Sequence, residues 1–84
     1  MEIELKLFMK FKGYLPVGTA DGKALITLDS GSTFEELLHK IGMPVNEDKI
    51  IVINGISHKQ GNKVNALQLE EGDTVAVFPP IAGG

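Results

Sequence analysis

The sequence predicts an α+β fold, a mixed β-sheet wrapped over one helix in the order ββαββ. Three observations predict it: an alternating apolar and charged opening, a single amphipathic helix with both ends signalled, and β-branched runs after that helix. In the opening, Ile3, Leu5 and Leu7 alternate with Glu2, Glu4 and Lys6, the period of two of a strand with one wet face. Residues 24–29 (Ala-Leu-Ile-Thr-Leu-Asp) read as a second strand. Gly13, Pro16, Gly18 and Asp21-Gly22 punctuate the stretch between them, so the two form a long-looped hairpin.

The helix carries its own boundaries. Ser32 and Thr33 are candidate N-caps, each followed three residues later by Glu35 or Glu36, and Phe34, Leu37, Leu38 and Ile41 fall on one face. Gly42 stands where a left-handed cap belongs and Pro44 forbids continuation, so the helix ends near Ile41. A helix of three turns is marginal in water, and its apolar stripe must therefore lie on the sheet. Ile50-Ile51-Val52-Ile53 is a continuous β-branched run closed by Asn54-Gly55, read as a buried strand and a tight turn. His58 to Asn65 is polar and reads as irregular. Leu67 and Leu69 form a weak element before the turn cluster Glu70-Glu71-Gly72-Asp73, and Thr74 to Phe78 is the last strand.

Eighty-four residues make one domain with one modest core, expected over residues 1–78, with a flexible tail over 79–84. With 43% apolar and 23% charged residues the composition is that of ordinary globular protein. A formal charge of −3 and scattered lysines argue against nucleic acid as a partner. No apolar run is long enough to span a membrane and Met1-Glu2-Ile3-Glu4 lacks the basic start of a signal peptide, so the expected compartment is the cytoplasm. The chain has no cysteine, so any sulfur chemistry must use another group.

That group is the tail. Pro79 and Pro80 lack N–H donors and end sheet pairing, and Ile81-Ala82-Gly83-Gly84 follows with almost no side chain to obstruct a narrow channel. A terminal carboxylate on Gly84 is ionised at neutral pH and inert until something activates it. No intrinsic catalytic site competes with it. His39 and His58 belong to no spaced ligand cluster, so no metal site is expected. Gly13, Gly18 and Gly22 are too dispersed for a phosphate-cradling loop, Ser30, Ser32 and Ser57 have no nucleophile motif, and Ser32 is accounted for as a helix cap. Glu35, Glu36, His39 and Lys40 read as the solvated helix face.

Five groups of residues together resemble the ubiquitin-like β-grasp sulfur carriers, and within that family the molybdopterin synthase small-subunit branch. They are Leu7-Phe8; Tyr14-Leu15-Pro16; Phe34-x-x-Leu37-Leu38 with Gly42 and Pro44; Val52-x-Asn54-Gly55; and the run from Leu69 through Gly72-Asp73, Val75, Val77-Phe78-Pro79-Pro80 to Ala82-Gly83-Gly84. Thiamine-pathway carriers also end in Gly-Gly, usually without the Phe-Pro-Pro approach. Lys12 and Gly13 depart from the arginine and glutamate frequent at those positions, and the His58–Lys63 loop has no counterpart in the pattern.

The resemblance implies that an E1-like adenylating enzyme uses ATP to activate Gly84, and that a sulfur donor displaces AMP to leave a thiocarboxylate. It further implies that the molybdopterin synthase large subunit accepts the sulfur, with Gly83 and Ala82 threading the tail into its site. On this reading the chain binds no cofactor and is a carrier rather than an enzyme. Docking needs exposed apolar area. Phe78, Pro80 and Ile81 are the expected anchors, joined by Phe8 and Val52; core burial is the alternative for Phe8, Val52 and Phe78. Other acceptors fit the same activation: thiamine or tungsten-cofactor sulfur delivery, or a protein modifier joined to target lysines through Gly84. A β-grasp interaction module with an idle tail is a further alternative.

Overall fold

The computed structural model describes residues 1–16 and 21–80. β1 (Glu2–Leu7) pairs antiparallel with β2 (Lys23–Thr27), and α1 (Phe34–Ile41) crosses to β3 (Ile50–Ile53). β4 (Ile56–His58) folds back on β3, a short α2 (Asn62–Asn65) follows, and β5 (Thr74–Phe78) completes a five-stranded sheet in the order β2-β1-β5-β3-β4. β5 inserts between β1, to which it is parallel, and β3, to which it is antiparallel. The sheet is mixed and packs on α1, the β-grasp arrangement expected of the sequence.

Local chemistry accounts for the elements. Thr33 caps α1 through a reciprocal capping box: its hydroxyl accepts from the Glu36 N–H, and the Glu36 carboxylate accepts from the Thr33 N–H at 3.0 Å. Ser32, also expected as a cap, is instead buried in the turn before the helix. Only one residue has its side-chain oxygen opposite the third helical N–H, and that residue is Thr33. Gly42, left-handed at φ 82°, closes the helix after Ile41. Asn54 and Gly55 both have positive φ, the backbone of a two-residue hairpin turn that matches strand twist, and Ile53 therefore pairs with Ile56. Gly22 is also obligatory, because at φ +78° a Cβ would sit 3.0 Å from the Leu7 carbonyl oxygen.

The core lies between the sheet and the helices. Ile3, Leu5 and Leu7 of β1, Ile51 and Ile53 of β3, and Val75 and Val77 of β5 face Phe34, Leu37 and Leu38 of α1. Each such side chain contributes about 1.5–3 kcal/mol by leaving water. The reading of 58–65 as irregular is corrected at both ends. Ile56 to His58 form β4, and residues 62–65 form a helical turn that drops Val64 into the core. A 3₁₀ segment over Met9–Tyr14 was likewise not foreseen; it buries Phe11 under the β1–β2 connection. Among the described residues no helix is long and apolar enough to cross a membrane.

Candidate functional site

β5 delivers the chain to its tail at one end of the sheet. Pro79 is buried, Pro80 is exposed, and the tail positions Ile81, Ala82, Gly83 and Gly84 lie outside the described residues. Because β1 is parallel to β5 with Leu7 opposite Val77, Phe8 leaves β1 beside Phe78. Their rings stack face to face, centroids 4.2 Å apart and planes 7° apart. β3 presents Ile50 opposite Phe78 on the other side, and one step inward Ala76 stands between Lys6 and Val52. Phe8, Phe78, Ile50, Ala76 and Val52 thus form a continuous apolar patch on the sheet face turned away from α1.

Strand alternation sorts the core alternative for these residues. Phe8, Phe78 and Val52 are each half-buried and stand apart from the core cluster, whose members are their sequence neighbours Leu7, Val77, Ile51 and Ile53. The β3 run was expected to be buried; instead Ile50 is 42% exposed, because the sheet has a packed layer on one face only. Ile50 was missed for that reason, although its alternation with Ile51 was legible. Met9 was missed as well. It is 71% exposed beside Phe8 and has a left-handed backbone (φ 54°), unusual for a residue with a Cβ.

A polar brace joins the 3₁₀ segment to the 44–49 loop. The Tyr14 hydroxyl donates to the Glu47 carboxylate at 2.9 Å, and the Lys10 ammonium lies 3.6 Å from the other oxygen. Lys49, nearly fully buried, directs its ammonium at the carbonyls of Pro44, Val45 and Glu47, while Gln60 accepts from the Lys49 N–H and donates to the Glu47 carbonyl. Burial holds the Lys49 ammonium below the usual lysine range, against the pull of Glu47 and Asp48. The hydrogen bond to Glu47, followed by burial and the Glu47 charge, holds the Tyr14 phenol above its ordinary value. These groups hold the 3₁₀ segment and the 44–49 loop against each other.

The remaining polar residues singled out from the sequence are not brought here. His39 faces Glu35 at 3.7 Å along the outer side of α1, as a solvated i,i+4 pair. His58 lies on β4, an edge strand. The arrangement presents an exposed apolar patch beside the end of β5, and Glu47, Tyr14 and Lys49 are all engaged in holding backbone and side chains in place.

Residues 16–84 match the model of the ThiS family. Among curated proteins none is significantly similar in sequence. The solution structure of the Haloferax volcanii HVO 2177 protein is similar, with a TM-score of 0.73 at 28% identity over 100% of this chain and 87% of that one. SAMP1 of Haloferax volcanii shares the fold at a TM-score of 0.68 and 20% identity, each chain covered in full. The fold is shared too by a chain in the complex of subunits 1 and 2 of the Molybdopterin-converting factor of Helicobacter pylori, at a TM-score of 0.60 and 19% identity, again over both whole chains. With the family model spanning residues 16–84, more than four-fifths of the sequence, the chain belongs to the ThiS family of ubiquitin-like sulfur carriers.

Proposed function

We propose that this chain is a sulfur carrier whose Gly84 carboxylate is loaded as a thiocarboxylate and donates sulfur for molybdopterin synthesis. The observation that carries the reading is the apolar patch of Phe8, Phe78 and Ile50 at the point where β5 runs into the tail of a ThiS-family chain. A carboxylate is a poor electrophile. Its oxygen attacks the α-phosphate of ATP in an adenylating partner, pyrophosphate leaves, and the acyl-adenylate then loses AMP to a sulfur nucleophile. The resulting thiocarboxylate passes its sulfur to the acceptor, and water returns Gly84 to a carboxylate. Positioning and charge stabilisation in each step come from the partner's groups. Phe78, Phe8, Ile50, Val52 and Pro80 supply the docking area, Ile81 extends it along the tail, and Gly83 and Ala82 let the tail thread.

The molybdopterin assignment rests on the Phe78-Pro79-Pro80 approach to the tail, and a large acceptor subunit is supported by the two-subunit arrangement of the Helicobacter pylori complex. Intact mass spectrometry after incubation with ATP, an adenylating enzyme and a sulfide source tests the loading step: a gain of about 16 Da at Gly84 is expected, oxygen exchanged for sulfur. Absence of the gain with an enzyme active on another carrier overturns it. Thiamine and tungsten-cofactor delivery share the loading step and are separated by which acceptor the loaded chain converts.

A second reading, protein modification, is favoured by the likeness to small archaeal modifier protein 1 of Methanosarcina acetivorans, at a TM-score of 0.64. A target lysine amine then displaces AMP and forms an isopeptide with Gly84. Higher-mass conjugates in lysate support that reading, and recycling of the free chain supports the carrier.

A further inference from the structure

Charge is distributed unevenly about the docking face. The chain has eight lysines and a formal charge of −3, yet Lys6, Lys10, Lys12 and Lys23 all stand at the end of the sheet where the tail leaves. Turns at the opposite end bear Asp29, Glu70, Glu71 and Asp73. Lys6 and Lys23 are direct cross-strand partners on the outer face, an arrangement that costs stability because like charges oppose each other. Glu4 relieves it little: its carboxylate is 3.8 Å from the Lys6 ammonium, and both side chains are more than a third exposed. Lys6 also lies in register with Ala76 and Val52, so the lysine pair directly borders the apolar patch. On the other flank Lys10 sits over the Phe11 ring, 5.8 Å from its centroid, while the stem of Lys12 runs beside Gly22, next to Lys23. Of the carboxylates near this end, Glu47 is taken by Tyr14 and Lys10, and Asp21 and Asp48 stand exposed.

We propose that the adenylating enzyme receives this end of the sheet in an apolar socket bordered by carboxylates, which pair with Lys6 and Lys23. The proposal rests on the carrier reading above. An apolar patch alone gives affinity without orientation, whereas a basic flank meeting an acidic rim steers the encounter and sets the register in which the tail enters. It also explains why the repulsive pair is tolerated beside the tail: the partner's carboxylates relieve it on docking.

The test is ATP–pyrophosphate exchange by an adenylating enzyme with the full-length chain as carrier, in about 10 mM and about 1 M salt, where the screening length falls from roughly 30 Å to roughly 3 Å. Lys6→Glu/Lys23→Glu is expected to lower kcat/KM about tenfold at low salt, chiefly through KM, with the difference shrinking at high salt. Lys6→Ala/Lys23→Ala removes the repulsion and folds at least as well, and its kcat/KM is expected to fall about threefold under the same conditions. Lys40→Glu/Lys63→Glu, the same charge change on the helix layer, is expected to match wild type. Charge-reversed and wild-type chains that exchange equally at both salts overturn the acidic rim and leave the carrier reading standing. Loss of exchange in the helix-layer variant as large as in the Lys6/Lys23 variant reduces the effect to net charge and overturns it too. A wild-type chain that supports no exchange overturns the carrier reading itself, and this proposal with it.

Discussion

The two faces of the sheet are built from neighbouring residues of the same kind, and they do opposite work. Leu7, Val77 and Ile51 point into the core against α1, while Phe8, Phe78 and Ile50, each one position away, lie together on the face that, among the described residues, no helix covers. Strand alternation alone makes this separation. Burial on the inner face stabilises the fold; apolar area left on the outer face is stability forgone, which docking of the proposed partner would recover. Substitutions on the two faces should therefore separate folding from function.

The largest effect is expected on the inner face. Leu38→Asp places an unpaired charge in a fully buried position and should abolish cooperative thermal unfolding, a loss of about 4–5 kcal/mol or more for so small a domain. An unchanged melting curve would mean that the α1 face is not the core. At the tail the contrast reverses. Removing Gly83 and Gly84 should leave the melting temperature where it is and eliminate the thiocarboxylate mass gain, and a truncated chain that still supports sulfur delivery would make the tail idle. On the outer face Phe78→Ala should weaken partner binding by about 2 kcal/mol, measured by calorimetry, while costing about 1 kcal/mol of stability from the lost stacking on Phe8. A stability loss of core size would merge the two faces into one role.

Two smaller effects sharpen the role of the polar brace. Lys49→Met leaves the Pro44 carbonyl without its buried donor and Val45 with only the long 3.5 Å bond from Gln60, and should cost about 1–3 kcal/mol in denaturant titration. Tyr14 gives the smallest signal, visible only in alkali. Its folded pKa lies above the unfolded value of 10.0, so between the two the native chain holds a proton that the unfolded chain has released. Its contribution is complete below pH 10 and declines as pH rises through the raised value. Tyr14→Phe should remove that part of the alkaline loss, and an identical alkaline profile would show that the Glu47 hydrogen bond does not set it.

Legibility followed the range of the interactions. α1 was readable with its ends because the capping box, the apolar stripe and Gly42 act within a few residues, yet the choice between Ser32 and Thr33 needed the path of the turn. β4 was not readable. It is three residues long with Ile56 63% exposed, and only pairing with β3 through the Asn54-Gly55 turn makes it a strand. The 3₁₀ segment escaped for a similar reason, since Phe11 and Tyr14 acquire their places from the core and from Glu47, over thirty residues away. Phe8 and Phe78 lie at opposite ends of the sequence, and their stacking is a consequence of β1 and β5 being parallel neighbours.

Periodicity, caps and turn residues are local, and by themselves they determined the α+β class, the helix with its limits and four of the five strands. The insertion of β5 between β1 and β3, the gathering of Phe8, Phe78, Ile50, Lys6 and Lys23 around the tail's point of departure, and the covering of only one sheet face were decided by tertiary structure alone. The physical reason is that a two-residue period states which side chains share a face, but only strand order and the single helical layer state which face is buried and which residues from distant segments meet on the other.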